Sequence, residues 1–175
     1  MWRAAIVSED GAYRYRLDRW WGDGPRVAWV MLNPSTADAE VDDPTIRRCI
    51  AFTRAWGYAG MTVVNLHPLR TADPRVLAGV LRDDRIDDRE VDACRRNLEE
   101  IDRALDDAAL IIAAWGAQWR GGMSESRRRL LDRYRDRLHC LGLTKQGEPR
   151  HPLYVRGDRA PTSWACAAPA GVGQH

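Results

Sequence analysis

The chain has 175 residues, of which 45% are hydrophobic and 30% charged, and this matches the size and composition of one globular domain. Its 27 basic and 25 acidic residues leave a net charge of +2, which excludes the strongly basic class of histone-like or ribosomal nucleic-acid binders. We predict a single α/β domain over residues 1–160 and a frayed tail over 161–175.

The first predicted element is a β-hairpin, with strands over 3–8 and 13–17. A continuous apolar run at 27–32 follows, which is typical of a strand buried on both faces of a parallel sheet. The next elements are a helix over 44–56, a strand over 61–65, a long irregular loop, a helix over 87–107, a strand over 110–114, a helix over 124–137 and a strand over 138–143.

This alternation of strands and helices predicts an open, parallel, four-stranded sheet with helices on both faces. If the four buried strands are numbered along the chain, their expected order in the sheet is 2-1-3-4, with the hairpin at the periphery. Ligands of such sheets bind beyond the carboxyl ends of the strands. We therefore expect the site among the loops that follow these strands.

No apolar stretch approaches the roughly 18 residues that a membrane-spanning helix needs, so we expect a soluble, cytoplasmic, monomeric protein with no membrane partner. The four cysteines, at positions 49, 94, 140 and 166, form no Cys-x-x-Cys pair. We expect reduced thiols, no metal site, no iron-sulfur cluster and no other cofactor.

Polar residues stand where the predicted strands end. Asn33 follows one apolar strand and Asn65 ends the next, and a side-chain amide there can cap the loop or hydrogen-bond a water or the edge of a base. His151 can donate to a developing anion or serve a structural role. Asp43 precedes the helix that begins at Pro44, so it is either an N-cap or a general base.

Five stretches of the sequence carry a resemblance to a known family. They are MLNPSTAD at 31–38, VDDPTIRRC at 41–49, TVVNLHPLR at 62–70, AAWGA at 113–117 and LGLTKQGEPRHPLY at 141–154. The chain is identified by them as a member of the bacterial and phage family of unknown function numbered 1643, from about residue 13 to residue 154. Membership assigns no activity.

The order of these motifs also resembles, more distantly, the uracil-DNA glycosylase superfamily. The resemblance implies that Asn33 holds the hydrolytic water, Asn65 reads the base edge and His151 stabilises the departing base. The chain differs from the superfamily by Leu32 and Ser35 around Asn33-Pro34, where glycines are usual. It also has Thr45 and Ile46 where an aromatic residue normally stacks on the base, and among its cysteines Cys94 alone falls near a cluster-ligand position.

We therefore expect a DNA glycosylase-like hydrolase that cleaves the N-glycosidic bond of a base, including modified bases. The alternatives are an N-glycosidase of free nucleosides or nucleotides, and an inactive protein that binds a nucleotide or modified base. The partner is DNA or a nucleotide-like ligand. Besides the catalytic candidates Asn33, Asp43 and His151, the base-binding candidates are Pro34, Ser35, Thr45, Asn65, Trp115 and Tyr154, and the phosphate-binding candidates are Arg70, Lys145, Arg150 and Arg156.

Overall fold

A computed structural model describes residues 1–80, 87–117 and 124–164. The strands are β1 (Trp2–Val7), β2 (Arg14–Trp20), β3 (Arg26–Met31), β4 (Gly60–Asn65), β5 (Leu110–Ala113), β6 (Leu138–Cys140) and β7 (Thr162–Ser163). The helices are α1 (Pro44–Ala55), α2 (Pro74–Val80), α3 (Asp88–Asp107) and α4 (Glu125–Arg133), with short 3-10 turns at Arg135–Arg137 and Pro152–Tyr154. No helix in the described part of the chain is long and apolar enough to cross a bilayer.

The strands form one mixed sheet of seven, in the order β1-β2-β4-β3-β5-β6-β7. Three of its six strand pairs are parallel and three are antiparallel. The parallel strands lie in the order β4-β3-β5-β6, the relative order expected from the sequence. The expectation of a four-stranded, wholly parallel sheet is wrong, because strands from both ends of the chain extend it with antiparallel pairs.

Both extensions have a physical reason. The predicted hairpin forms, but β2 also pairs with β4, with Leu17 opposite Val63. It satisfies backbone groups of β4 that would otherwise form a free edge. At the other edge, Thr162 and Ser163 pair with β6, so these two residues of the predicted frayed tail are ordered in a strand. Residues 165–175 lie outside the described part of the chain.

The helices cover opposite faces of the sheet. On β3, Ala28 and Val30 belong to a core cluster shared with α3 and α4, whereas Val27 and Trp29 belong to a cluster shared with α1. The chain therefore leaves β3 towards one face and β5 towards the other. In an open α/β sheet, such a divergence opens a crevice between the carboxyl ends of the two strands.

Two helices differ from their sequence-based descriptions. The segment 74–80, expected as loop, is α2, which begins at Pro74 after Asp73 accepts a hydrogen bond from the Arg75 N–H. On α3 the helical spacing of apolar residues predicts that Val91 is buried with Cys94, Leu98, Ile101 and Leu105. In the structure, however, Val91 is 54% exposed and the polar Asn97 is fully buried. Asn97 Nδ2 donates to the Asn65 carbonyl, so a hydrogen bond rather than apolar character determines its burial.

Two buried arginines on β2 fix the loop between β3 and α1. Arg19, with no exposed surface, donates through Nε to Asp42 at 2.7 Å and through its other nitrogens to the carbonyls of Asp18 and Asp38. Arg14, 2% exposed, donates to the carbonyl of Ala37 at 2.7 Å. The loop residues 37–42 are thereby tied to the hairpin.

Replacement of Arg19 by Met should destabilise the fold strongly. It removes the buried guanidinium that pairs with Asp42 and leaves the carbonyls of Asp18 and Asp38 without that donor, while Asp42 keeps its ion pair with Arg3 at 3.0 Å. The loss should therefore lie near the lower end of the roughly 3–5 kcal/mol that removal of one partner from a buried charge pair costs. Urea unfolding followed by tryptophan fluorescence measures the change. The control is Arg95→Met, because Arg95 forms ion pairs only on the exposed surface of α3. Equal unfolding midpoints for the two variants would contradict the role assigned to Arg19.

Candidate functional site

A cavity of about 490 Å³ lies at the carboxyl ends of β3 and β5, in the crevice where the chain leaves the sheet towards opposite faces. We call it the rim cavity. Its lining residues come from the loops after β3, β5 and β6: Met31, Leu32, Asn33, Trp115, Gly116, Ala117, Thr144, Lys145, Arg150, His151 and Tyr154. Six of the residues predicted from the sequence are among them: Asn33, Trp115, Lys145, Arg150, His151 and Tyr154.

The amide of Asn33 has a fixed orientation. Its Nδ2 lies 2.8 Å from the Thr71 carbonyl and 3.0 Å from the Pro34 carbonyl, and both can only accept hydrogen bonds. The Thr71 N–H donates in turn to the Pro34 carbonyl at 2.9 Å, so the two loops hold each other. The donors of Asn33 are therefore used by the protein, and Oδ1 remains an acceptor for a water or a ligand.

His151 presents the opposite hydrogen-bonding character. Its Nδ1 accepts from the Leu153 N–H, so in the neutral ring the proton is on Nε2. Burial lowers the pKa of His151 below its ordinary value, and the Asp43 carboxylate opposes this shift in part. At neutral pH, His151 therefore supplies an uncharged N–H donor.

Gly116 allows the loops after β5 and β6 to approach each other. Its φ of +77° lies in the left-handed region, and a Cβ there would stand 3.2 Å from the Cβ of His151. The Gly116 N–H donates to the Pro149 carbonyl at 2.9 Å. The loop that carries His151 is thus hydrogen-bonded to the end of β5.

Asp43 is the N-cap of α1, since its Oδ1 accepts from the Ile46 N–H at 2.8 Å. It is absent from the lining of the rim cavity, so the alternative role of general base acting on a ligand in that cavity has no geometric support. Its charge still acts on the site through the pKa of His151. Asp43 is therefore a helix cap with an electrostatic effect on a cavity residue.

The two aromatic candidates have different environments. Trp115 is 2% exposed, its Nε1 donates to Glu148 at 2.6 Å, and its ring meets the edge of Trp164. Trp115 is thus mainly a core residue with one edge at the cavity. Tyr154 is 77% exposed and its ring centroid lies 5.8 Å from that of His151, so it offers a free aromatic face at the cavity mouth.

Asn65 is not among the residues that line the rim cavity. It is 1% exposed, and its Oδ1 accepts from Nη2 of Arg14 at 3.2 Å. Its carbonyl accepts from Asn97 Nδ2 at 2.9 Å. Asn65 therefore links β4 to β2 and α3 beneath the rim.

Other candidates also lie outside the rim cavity. Pro34, Ser35 and Thr45 are not among its lining residues. Arg70 donates to the Gly11 carbonyl at 3.2 Å, and Arg156 forms an exposed ion pair with Asp158. Three residues at or beneath the rim are not predicted from the sequence: Thr144, Ala117 and the buried Arg14. Turn residues and alternating charged residues give the same sequence pattern whether they face solvent or protein.

His67 lies beside the rim in a buried polar group. It is 2% exposed, and its Nδ1 accepts from the Leu69 N–H at 3.2 Å. Nε2 lies 3.7 Å from the Glu90 carboxylate, but burial and the neighbouring Arg127 cation dominate and lower the pKa of His67 to about 4. His67 is thus held neutral in the folded state.

Comparison with known proteins identifies a family and no activity. A family model described as a protein of unknown function (DUF1643) matches residues 14–153. Neither the curated proteins nor the solved structures contain a match to the chain.

Substitution of Asp43 by Asn should lower the pKa of His151 further. Asn caps a helix as well as Asp does, so the fold is kept while the charge that favours the imidazolium is lost. Titration of the His151 imidazole by NMR measures the shift, with Asp107→Asn, at the exposed end of α3, as the control. A pKa that is unchanged or higher in Asp43→Asn would disprove the coupling.

His67 should make the fold sensitive to acid. The unfolded chain protonates this ring near pH 6.5 and the folded chain only near pH 4, so stability falls as the pH is lowered between these values. The full difference is roughly 3 kcal/mol. In His67→Asn, which keeps an acceptor for Leu69, urea unfolding at a series of pH values should show a shallower loss. If the free energy of unfolding falls equally steeply with pH in the variant and the wild type, His67 is not the cause of the acid sensitivity.

Proposed function

The chain belongs to the family of proteins of unknown function DUF1643, and for this member we propose hydrolysis of the N-glycosidic bond of a base-bearing ligand. The observation that carries the proposal is the pairing, in one cavity, of a fixed acceptor with a neutral donor. These groups are Oδ1 of Asn33 and the Nε2–H of His151. The order of the motifs, which we interpret as similar to that of the uracil-DNA glycosylase superfamily, is consistent with the same chemistry.

In the proposed reaction, Asn33 Oδ1 accepts a hydrogen bond from a water that adds to the anomeric carbon of the sugar. The bond to the base breaks, and its electron pair leaves with the base. The neutral imidazole of His151 donates a hydrogen bond from Nε2–H to the anionic base and keeps its proton, as a preorganised donor does for an oxyanion. The proton that the added water loses passes to solvent, and the released base anion takes up a proton from solvent, so the products are the sugar hydroxyl and the neutral base. A neutral donor suits this task because it stabilises the negative charge on the leaving base without prior protonation of the imidazole.

Tyr154 and the apolar part of the cavity provide the base-binding surface. Tyr154 has an exposed ring, and Met31, Leu32 and Ala117 are apolar lining residues of the cavity. A nucleotide must leave the base stack to enter such a pocket, and this unstacking is offset by stacking and hydrogen bonds inside it. We propose DNA as the source of the base, with Lys145 and Arg150 at the mouth for phosphate contacts.

A second candidate function is binding of a nucleotide or modified base without turnover. One observation favours it: no Asp or Glu is among the described residues that line the rim cavity. A hydrolase with an amide as its water-holding group has no carboxylate there to deprotonate the water. Measurement of base release separates the two functions.

The deciding experiment incubates the purified protein with bacterial and phage DNA of varied base modification, and in parallel with free nucleosides and nucleotides. Mass spectrometry of the small-molecule fraction detects released bases. Release from DNA supports the glycosylase, release from nucleosides or nucleotides alone supports a small-molecule N-glycosidase, and ligand binding without any release supports the binder.

On a substrate found in this way, His151→Ala should reduce base release by at least about tenfold, because loss of one such donor typically costs on the order of 10²- to 10³-fold. His151→Gln, which keeps a neutral N–H donor, should retain more activity. The matched control is His139→Ala on β6, because the His139 ring contacts the Arg137 carbonyl and does not line the cavity. Full activity of His151→Ala would contradict the assignment of His151 as the donor to the leaving base.

A further inference from the structure

A second cavity of about 840 Å³ adjoins the rim cavity. We call it the arginine groove; its charged residues are Arg150, Arg156, Asp158 and Arg159, and its other lining residues include Leu141, Gly142, Leu143, Tyr154 and Thr162. Three arginines against one aspartate make its charged lining net positive. The groove is therefore suited to an anion.

The arginines of the groove have donors to spare. Among the described residues, the guanidinium of Arg159 has no hydrogen-bond or ion-pair partner, and Arg150 uses only Nε, which donates to the Leu143 carbonyl at 2.8 Å. Arg156 pairs with Asp158 at 3.0 Å, but these side chains are 88% and 70% exposed. An exposed ion pair of this kind contributes little, so Arg156 can exchange its partner for a ligand anion.

Gly142 makes room between two of these arginines. Its φ is +107°, and a Cβ at this position would lie 3.2 Å from Nη2 of Arg159 and 3.8 Å from Cδ of Arg150. A side chain here would fill the space beside both guanidinium stems. The absence of a Cβ therefore leaves an open cradle with N–H donors at its side.

The loop that carries Arg156 and Arg159 is held in place by α1. Arg48 donates to the carbonyls of Val155 and Pro152, and Trp56 Nε1 donates to the Arg159 carbonyl at 3.3 Å. The groove is thus formed on a backbone already tied to the core. An anion that binds there does not have to order the loop first.

Arg150 and Tyr154 line both cavities. A ligand whose base stacks on Tyr154 at the rim cavity therefore also borders the groove. We propose that the arginine groove binds the phosphate of the same ligand whose base enters the rim cavity, so that the substrate class is a phosphorylated nucleotide or nucleic-acid strand and not a free nucleoside. This inference rests on the proposed function for the base-binding half of the ligand.

The test measures binding and needs no turnover. Fluorescence anisotropy of a short, mixed-sequence, single-stranded oligonucleotide with a 5′ dye is recorded at about 50 mM salt for the wild type, for Arg156→Ala/Arg159→Ala and for Arg129→Ala. Arg129 is the matched control, because it is an exposed arginine on α4, on the opposite face of the sheet, and it pairs with Glu125. We expect the double variant to lose at least about tenfold in affinity and the control to bind like the wild type.

The salt dependence gives a second readout. Each phosphate bound on a single strand contributes about 0.7 to the slope of log affinity against log salt, so the slope of the double variant should be smaller by roughly that amount for each phosphate it no longer binds. Competition by a 5′-mononucleotide identifies a monoester as the anion, and competition only by unlabelled oligonucleotide identifies backbone phosphodiesters. If the double variant has the affinity and the salt slope of the wild type, or if the wild type does not bind the oligonucleotide, the proposal that the arginine groove binds phosphate is wrong.

Failure of the groove and failure of the hydrolase give different results. If oligonucleotide binding depends on Arg156 and Arg159 but no substrate releases a base, phosphate binding by the arginine groove is supported and the proposed hydrolysis is wrong. If the wild type and the double variant release a base from a free nucleoside at equal rates and also bind the oligonucleotide equally, the proposed hydrolysis is supported. Phosphate binding by the arginine groove is then wrong.

Discussion

The requirement that two buried guanidinium groups find acceptors determines how the rim of this sheet is built. Arg14 and Arg19 are on β2, and the acceptors for both are supplied in large part by residues 37–42 of the loop after β3. Burial lowers the pKa of Arg14 to about 10, yet the group stays charged at neutral pH, and its Nε has no partner among the described residues. A charge buried in this way strongly disfavours loop conformations that withdraw its acceptors. The antiparallel hairpin is therefore part of the support of the candidate site.

Two further connections join this supported loop to the rest of the rim. Asn33 Nδ2 donates to the Thr71 carbonyl and the Thr71 N–H donates to the Pro34 carbonyl, which joins the loops after β3 and β4. The Gly116 N–H joins the end of β5 to the loop that carries His151. All these bonds involve backbone groups, so they position Asn33 and His151 without a direct contact between the two side chains. The rim cavity is the space that remains where the loops diverge.

The sequence is informative about this fold where one kind of residue dominates a segment. The apolar runs at 27–32 and 61–65 become β3 and β4, and Asp43-Pro44 begins α1 as expected. The sequence is uninformative where a polar side chain can form its hydrogen bonds either with water or with other parts of the protein. The alternation in β2 does not reveal that Arg14 and Arg19 point inward, and Asn97 looks like a surface residue of α3. Asn33 follows β3 and Asn65 ends the neighbouring β4, but of the two only Asn33 lines the rim cavity. The Oδ1 of Asn65 accepts instead from the buried Arg14.

The hydrogen-bonding character of the rim cavity also constrains the order of events in the proposed hydrolysis. Asn33 can orient a water but cannot take its proton, and Asp43 is committed to the α1 N-cap. With no carboxylate among the described lining residues, the water remains a weak nucleophile until positive charge has developed on the sugar. Departure of the base must therefore run ahead of water attack, and the neutral N–H of His151 acts on that earlier step. A reaction in which the base departs before water attacks favours bases that are stable as anions. The stability of the base anion, more than the strength of the nucleophile, would therefore decide which ligands react.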